Sequence, residues 1–140
     1  MRVLHVAAEI FPWVKTGGLG DVIAALPPAL AGAGVEVRLV LPGFPALLDA
    51  LTLTDAARLR TPFAPERIRI GLGRLPESGL PVYLVDHTPF YDRLGSPYAD
   101  ASGRDWPDND RRFALLGWVA AALAGGADPV WRPDVLHAHD

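Results

Sequence analysis

KTGGLGD, at residues 15–21, is the stretch of sequence that decides the fold. It follows an apolar run at residues 3–8 and leads into residues 19–33, where apolar residues recur at helical spacing. The glycines therefore lie between a buried strand and a helix, where a backbone without Cβ atoms can approach a ligand and adopt positive φ. The N-terminus of that helix attracts anions, and Lys15, the only lysine, adds a positive charge. The sequence predicts a phosphate or pyrophosphate site.

Two better-known glycine loops do not fit this stretch. The P-loop has its lysine after the last glycine, followed by Ser or Thr, whereas Lys15 precedes the glycines. The dinucleotide fingerprint GxGxxG is matched by Gly18 and Gly20, but Ile23 stands where the third glycine belongs. From glycine spacing alone, a simple turn with a solvated lysine is the alternative.

Composition excludes several classes of protein. The chain has 140 residues, half of them hydrophobic, which is typical of one globular domain. A net charge of −3 argues against a nucleic-acid partner, and the lack of cysteine excludes disulfides and cysteine-ligated zinc. The apolar runs are too short for a membrane helix or a signal peptide. We expect a soluble cytoplasmic protein with no membrane partner.

Hydrophobic periodicity predicts alternating strands and helices. Parallel strands are expected at residues 2–8, 35–41, 81–86 and 134–138. Helices are expected at 18–33 and 108–124, with a helical turn at 47–51. Residues 57–63 and 68–75 should form an antiparallel hairpin at the sheet edge. Pro27 and Pro28 predict a kink, or a stop and restart, in the first helix. Residues 87–107 read as a long loop, which is often functional. The expected fold class is α/β with a Rossmann-like, mostly parallel sheet.

Further runs along the chain point to one family. They are AEIFP at residues 8–12, LP and FP at 41–45, YDR and GSPY at 91–98, RFALLGW at 112–118, and WRPDVLHAHD at 131–140. Together with the glycine loop, they resemble bacterial glycogen synthases and plant starch synthases over nearly the whole chain.

The resemblance implies an enzyme of the two-domain GT-B architecture. Residues 1–140 would be part of its N-terminal Rossmann-like domain, without the C-terminal domain, and this fragment would be inactive alone. The implied reaction moves glucose from ADP-glucose to the non-reducing end of an α-1,4-glucan, with retention, in glycogen biosynthesis. Neither a metal nor another cofactor is implied.

The resemblance also assigns residues to the donor site. Lys15 corresponds to the lysine that contacts the donor diphosphate, and the backbone amides of Gly17 and Gly18 approach the same group. Asp21 and Asp140 correspond to acids at the active site and are the expected catalytic residues. Asp140 would lie near the transferred glucose, while Asp21 also suits the first turn of a helix.

Glu9, Tyr98 and His139 correspond to residues of the acceptor side of the cleft. Tyr98 would offer a ring face and a hydroxyl to a sugar. A solvated loop glutamate and a tyrosine packed within its own loop are the simpler readings of Glu9 and Tyr98.

The histidines near the end of the chain raise the question of a metal. His137 and His139 lie two residues apart and point to one face of a strand. The metallohydrolase pattern HxHxD needs one more residue before its aspartate, so we expect structural histidines and no metal. We also expect His5 to be a core residue.

Two other functions stay open. One is an NAD-dependent oxidoreductase built on a Rossmann half, for which Glu36 is the only acid near the expected spacing. The other is a stand-alone nucleotide or glucan binding module.

Overall fold

Six strands form a single sheet in the computed structural model, which describes residues 1–140. The elements are β1 (Arg2–Val6), α1 (Gly18–Gly32), β2 (Glu36–Pro42), α2 (Pro45–Ala50), β3 (Thr54–Thr61), β4 (Ala64–Arg74), β5 (Pro81–Asp86), α3 (Thr88–Tyr91), α4 (Asn109–Ala124) and β6 (Val135–Ala138). The strand order is β3-β4-β5-β2-β1-β6. The last four of these strands run parallel, while β3 and β4 add an antiparallel hairpin at one edge. The predicted Rossmann-like, mostly parallel α/β sheet is confirmed.

The central strands hold the core. Leu4, Val40 and Leu84 are fully buried, one in each of β1, β2 and β5, because neighbouring strands and helices cover these strands. Such continuous burial explains why their sequences are apolar runs and do not alternate. By contrast, every residue of β6 is exposed, since β6 pairs with β1 alone and forms the other edge of the sheet.

Helix α1 continues through its two prolines, where the sequence allowed either a kink or a stop and restart. A single helix runs from Gly18 to Gly32 with Pro27 and Pro28 inside it, so the chain does not stop and restart there. Pro27 is buried, which offsets part of the cost of its missing N–H donor. Gly34, with a φ of +91°, turns the chain toward β2.

The edge hairpin is longer than predicted. Its turn falls between Thr61 and Ala64, so that Pro65, which the sequence placed in the turn, lies inside β4. Pro65 is tolerated because β5 pairs with β4 only from Arg69 onward, and no ladder bond to β5 is lost.

Residues 87–107 are more ordered than a plain loop. They contain α3 and two isolated bridges, Gly95 with Asp100 and Ala99 with Asp105. Asp108 directly precedes α4, but its side chain does not cap the helix. It pairs with Arg93 at 2.6 Å and so ties the loop to the helix start. None of the helices is long and apolar enough to cross a bilayer.

Candidate active site

The carboxyl ends of the parallel strands form the edge of the sheet where ligands bind in such folds. The chain leaves β1 at Val6 and reaches α1 through residues 7–17, and it leaves β6 at Ala138 to reach His139 and Asp140. The loop after β5 carries Tyr98 to the same edge, where its hydroxyl contacts Glu9. Candidates that are far apart in sequence thus share one edge of the sheet.

Glu9 organises this edge. Its side chain is buried, and Oε2 accepts a hydrogen bond from the Thr16 backbone N–H at 2.9 Å. Oε1 accepts from the Thr16 hydroxyl at 2.6 Å and from the Tyr98 hydroxyl at 2.7 Å. Burial raises the pKa of Glu9, but these hydrogen bonds outweigh it and hold the pKa below its ordinary value. The carboxylate is therefore charged at neutral pH and fixes the glycine loop against the loop of Tyr98.

Tyr98 keeps its proton at this site. Burial, followed by the hydrogen bond to Glu9 and the charges of Glu9 and Asp140, raises the pKa of its hydroxyl far above the ordinary value. Asp140 follows the carboxyl end of β6 and so lies at the same edge as the glycine loop. Asp140 itself is exposed, and the preceding His139 donates its backbone N–H to the Val6 carbonyl at 2.9 Å.

Lys15 is paired within the chain. Its Nζ donates to Asp21 Oδ2 at 2.6 Å, and it lies 5.6 Å from the centre of the Phe11 ring. Both partners are substantially exposed, so the ion pair itself adds little stability. The ion pair instead fixes the position of Lys15, because it holds the Nζ charge over the first turn of α1.

The backbone conformation at the start of α1 does not require glycine. No glycine of the run has a positive φ, so the loop does not use the left-handed conformation that glycine tolerates. Instead, a Cβ atom added at Gly17 or Gly18 would meet no atom within 4 Å. Only Gly20 is crowded, with the Val14 carbonyl oxygen 3.3 Å from such an atom. Open space in front of Gly17 and Gly18 leaves room for a ligand to approach the backbone.

A cleft of about 520 Å³ adjoins Lys15 and Thr16. Trp13 and Phe44 line it, and the loop at residues 91–97 forms its far side. Its volume lies within the usual range for small-molecule sites.

Arg112 is a buried residue beside the site that sequence reasoning did not single out. It is 1% exposed and donates to the carbonyl oxygens of Phe90 at 2.7 Å and Pro97 at 2.8 Å, and to Asn109 Oδ1 at 2.8 Å. These bonds hold the loop that presents Tyr98. The available signal was an arginine at the start of a helix whose following residues are largely apolar.

The histidines form a cluster that sequence spacing could not reveal. The parallel register places His5 of β1 opposite His137 of β6, and His5 Nδ1 lies 2.8 Å from His139 Nε2. His5 is fully buried, which confirms it as a core residue. Burial, followed by the charges of His139 and His137, lowers the pKa of His5 to about 4, and burial also lowers the pKa of His139. Both rings are neutral at pH 7.

Glu36 does not lie where a dinucleotide site would need it. It is the first residue of β2 and therefore lies at the amino ends of the parallel strands, whereas the glycine loop lies at their carboxyl ends. Its carboxylate accepts hydrogen bonds from Trp131 Nε1 at 2.6 Å and Arg2 Nε at 3.3 Å. A ribose-binding acid must follow the carboxyl end of its strand, so the oxidoreductase alternative loses its only support.

Comparison with known proteins gives a consistent result. The family model of the starch synthase catalytic domain matches residues 2–140. The glycogen synthase of Variovorax paradoxus (strain S110) is 50% identical over 145 residues, which cover 100% of this chain and 29% of that protein. The glycogen synthase of Francisella tularensis subsp. holarctica (strain LVS) is 48% identical over 141 residues, with 29% of that protein covered.

Among solved structures, the catalytic domain of Starch Synthase IV from Arabidopsis thaliana, bound to ADP and acarbose, superposes with a TM-score of 0.69 at 30% identity. The match covers 99% of this chain and 28% of that one. The chain therefore spans less than a third of the length of these relatives.

Proposed function

Since the chain belongs to the starch synthase catalytic domain family, we propose that it forms part of a bacterial-type glycogen synthase. This enzyme would transfer glucose from ADP-glucose to the non-reducing end of an α-1,4-glucan, with retention. The observation that carries the proposal is the single lysine held over an open, glycine-lined helix start, on the same sheet edge as Glu9, Tyr98 and Asp140. The ADP and acarbose bound to the Arabidopsis relative support a nucleotide donor and a glucan acceptor.

Lys15 would bind the donor diphosphate. Departure of ADP builds negative charge on its phosphate, and a fixed cation beside the N–H groups of a helix start stabilises that charge. Asp21 has a positioning role in this scheme, because its carboxylate holds Nζ at 2.6 Å before the donor arrives. The departure of ADP would need no metal ion or other cofactor.

Asp140 and the Glu9–Tyr98 pair would form the sugar side of the site. An exposed carboxylate at the end of β6 is suited to bind glucose hydroxyls and to stabilise an oxocarbenium-like transition state. Tyr98, whose hydroxyl is bonded to Glu9 at 2.7 Å, would present its ring to the acceptor, with His139 beside the transferred sugar. A second Rossmann-like domain would close on this edge, as in GT-B enzymes, and the reaction would take place in the cytoplasm.

Replacement of Lys15 tests the proposal in the intact enzyme. Lys15→Ala should lower kcat/KM for ADP-glucose about 10²–10³-fold, the range for loss of one preorganised charge-stabilising group. Arg60→Ala is the matched control, because it removes an exposed cation from the far edge strand. Equal kcat/KM in wild type and Lys15→Ala would remove the lysine from the donor site.

A further inference from the structure

The three histidines between β1 and β6 are arranged unlike ordinary structural histidines. One ring nitrogen from each of His5, His137 and His139 lies within 4.8 Å of the corresponding atoms of the other two. Buried polar side chains are normally fixed by backbone or by other polar groups. The one hydrogen-bond partner of the His5 ring is another imidazole, and its Nε2 is buried without any partner. Neither nitrogen of this ring is therefore hydrogen-bonded to a carbonyl or carboxylate oxygen.

The spacing of the nitrogens is close to that of a metal-ligand set. Zinc binds imidazole nitrogen at about 2.0–2.1 Å, which sets two ligands of a tetrahedral ion roughly 3.4 Å apart. His5 Nδ1 and His139 Nε2 are 2.8 Å apart, so a small rotation of either ring would admit an ion between them. The ring of His137 stacks on that of His139 with centroids 4.1 Å apart and lies 4.9 Å from that of His5, so its ligand atom is within 4.8 Å of theirs.

The chemistry of the donors selects the kind of ion. Three imidazole nitrogens suit Zn²⁺, Cu²⁺ and Ni²⁺, whereas Mg²⁺ and Ca²⁺ require oxygen ligands. An imidazole binds a metal ion through the lone pair of a deprotonated ring nitrogen. A tetrahedral ion held by three protein ligands keeps a fourth position for water.

We propose that His5, His137 and His139 form a binding site for one divalent transition-metal ion, with Zn²⁺ as the best match. The ion takes no part in the proposed glucosyl transfer. It cross-links the ends of β1 and β6 and fixes His139, which directly precedes Asp140. The inference rests on the histidine geometry and does not depend on the proposed function.

Equilibrium binding to the intact protein tests this site. After metal is removed with a chelator, calorimetric titration with ZnCl₂ should show one site per chain, and MgCl₂ should show none. His137→Gln should raise the Kd for Zn²⁺ at least tenfold. His87→Gln should leave the Kd unchanged, because His87 packs against Phe90 outside the cluster.

Substitution of Co²⁺ gives a second readout that a structural role would not affect. Cobalt in a four-coordinate site of the wild type should give intense visible absorption bands, and His137→Gln should abolish them. Thermal melts of the metal-free variants identify any variant that fails to fold, and His139→Gln then replaces His137→Gln in the titration. Absence of Zn²⁺ binding in the wild type, or an equal Kd in wild type and cluster variants, would overturn the proposal.

Discussion

At the scale of single residues, the buried carboxylate of Glu9 governs the stability of the site. Glu9→Gln should lower the free energy of unfolding by about 1–3 kcal/mol, because an amide cannot accept at both positions and leaves a donor of Thr16 or Tyr98 unpaired. Urea unfolding of the intact protein measures the change. Glu77→Gln, in an exposed turn, is the matched control and should change the value by less than about 0.5 kcal/mol. Equal losses in both variants would contradict the role of Glu9.

Because the pKa of Glu9 is lowered in the fold, its contribution to the free energy of unfolding depends on pH with a known sign. A carboxyl whose pKa is lower in the folded chain stabilises the fold above its unfolded value, about 4.3, and loses that effect as pH falls through the folded value. The difference in unfolding free energy between wild type and Glu9→Gln should therefore be constant from about pH 6 to 8 and shrink below about pH 4. Urea unfolding at a series of pH values measures it. A difference that stays constant in acid would mean that Glu9 is not charged in the fold.

The sequence could predict which candidate residues follow the carboxyl ends of the strands, but not how they are held. Lys15 and Glu9 were identifiable from their runs and from their places after β1. The bond from Tyr98 to Glu9 spans 89 residues and depends on a loop that the buried Arg112 holds in place. Neither periodicity nor spacing carries that information, because it arises from tertiary packing.

At the scale of elements, a substitution at the start of α1 should affect ligand binding without affecting the packing of the helix. Gly18→Ala should leave the free energy of unfolding within about 1 kcal/mol of wild type, since the new methyl group meets no atom within 4 Å and alanine favours a helix. The same methyl group would stand in the proposed path of the diphosphate, so KM for ADP-glucose should rise about tenfold, or 1.4 kcal/mol. Urea unfolding and steady-state kinetics measure the two effects.

Gly20→Ala is the matched control for this prediction. Its Cβ would lie 3.3 Å from the Val14 carbonyl oxygen and from Lys15 Cβ, so it should destabilise the fold more than Gly18→Ala does. If Gly18→Ala left KM for ADP-glucose at the wild-type value, the backbone at Gly18 would not contact the donor.

The loop between β5 and α4 should depend on one side chain. Arg112→Lys keeps the charge but cannot reach Phe90, Pro97 and Asn109 together, so we expect a loss of about 1–3 kcal/mol in unfolding free energy. Hydrogen exchange should rise at residues 92–107 and little elsewhere. Arg111→Lys, at the exposed neighbouring position of the same helix, should change neither quantity. Similar exchange in both variants would show that Arg112 does not anchor the loop.

Most elements could be predicted from periodicity, and the deviations have local causes. The parallel strands were recognisable because burial on both faces demands apolar runs. The hairpin turn was misplaced because Pro65 looked like a turn residue, whereas the structure places it in a part of β4 that needs no bond to β5. An aspartate directly before a helix commonly caps it, but the side chain of Asp108 pairs with an arginine 15 residues away in sequence.

At the scale of the whole molecule, the site is open on one side. Lys15, Gly17, Gly18, Asp21 and Asp140 are all exposed to solvent. In water a lysine charge stabilises a leaving diphosphate only weakly, and catalysis requires closure and exclusion of water. We therefore expect the 140-residue chain alone to bind ADP weakly and to transfer no glucose.

Incorporation of labelled glucose from ADP-glucose into glycogen measures the activity of this chain. The intact protein is the control in the same assay. Turnover by the isolated chain near that of the intact protein, abolished by Lys15→Ala, would show that the proposed second domain is dispensable.

The exposed strand β6 has a consequence for how the isolated chain behaves in concentrated solution. Its outer backbone groups have no strand partner, and Val135 and Leu136 are 42% and 40% exposed. Such an edge is a template for pairing with a second molecule. Light scattering should therefore show self-association that grows with concentration, and Leu136→Lys should suppress it by placing a charge on the pairing surface.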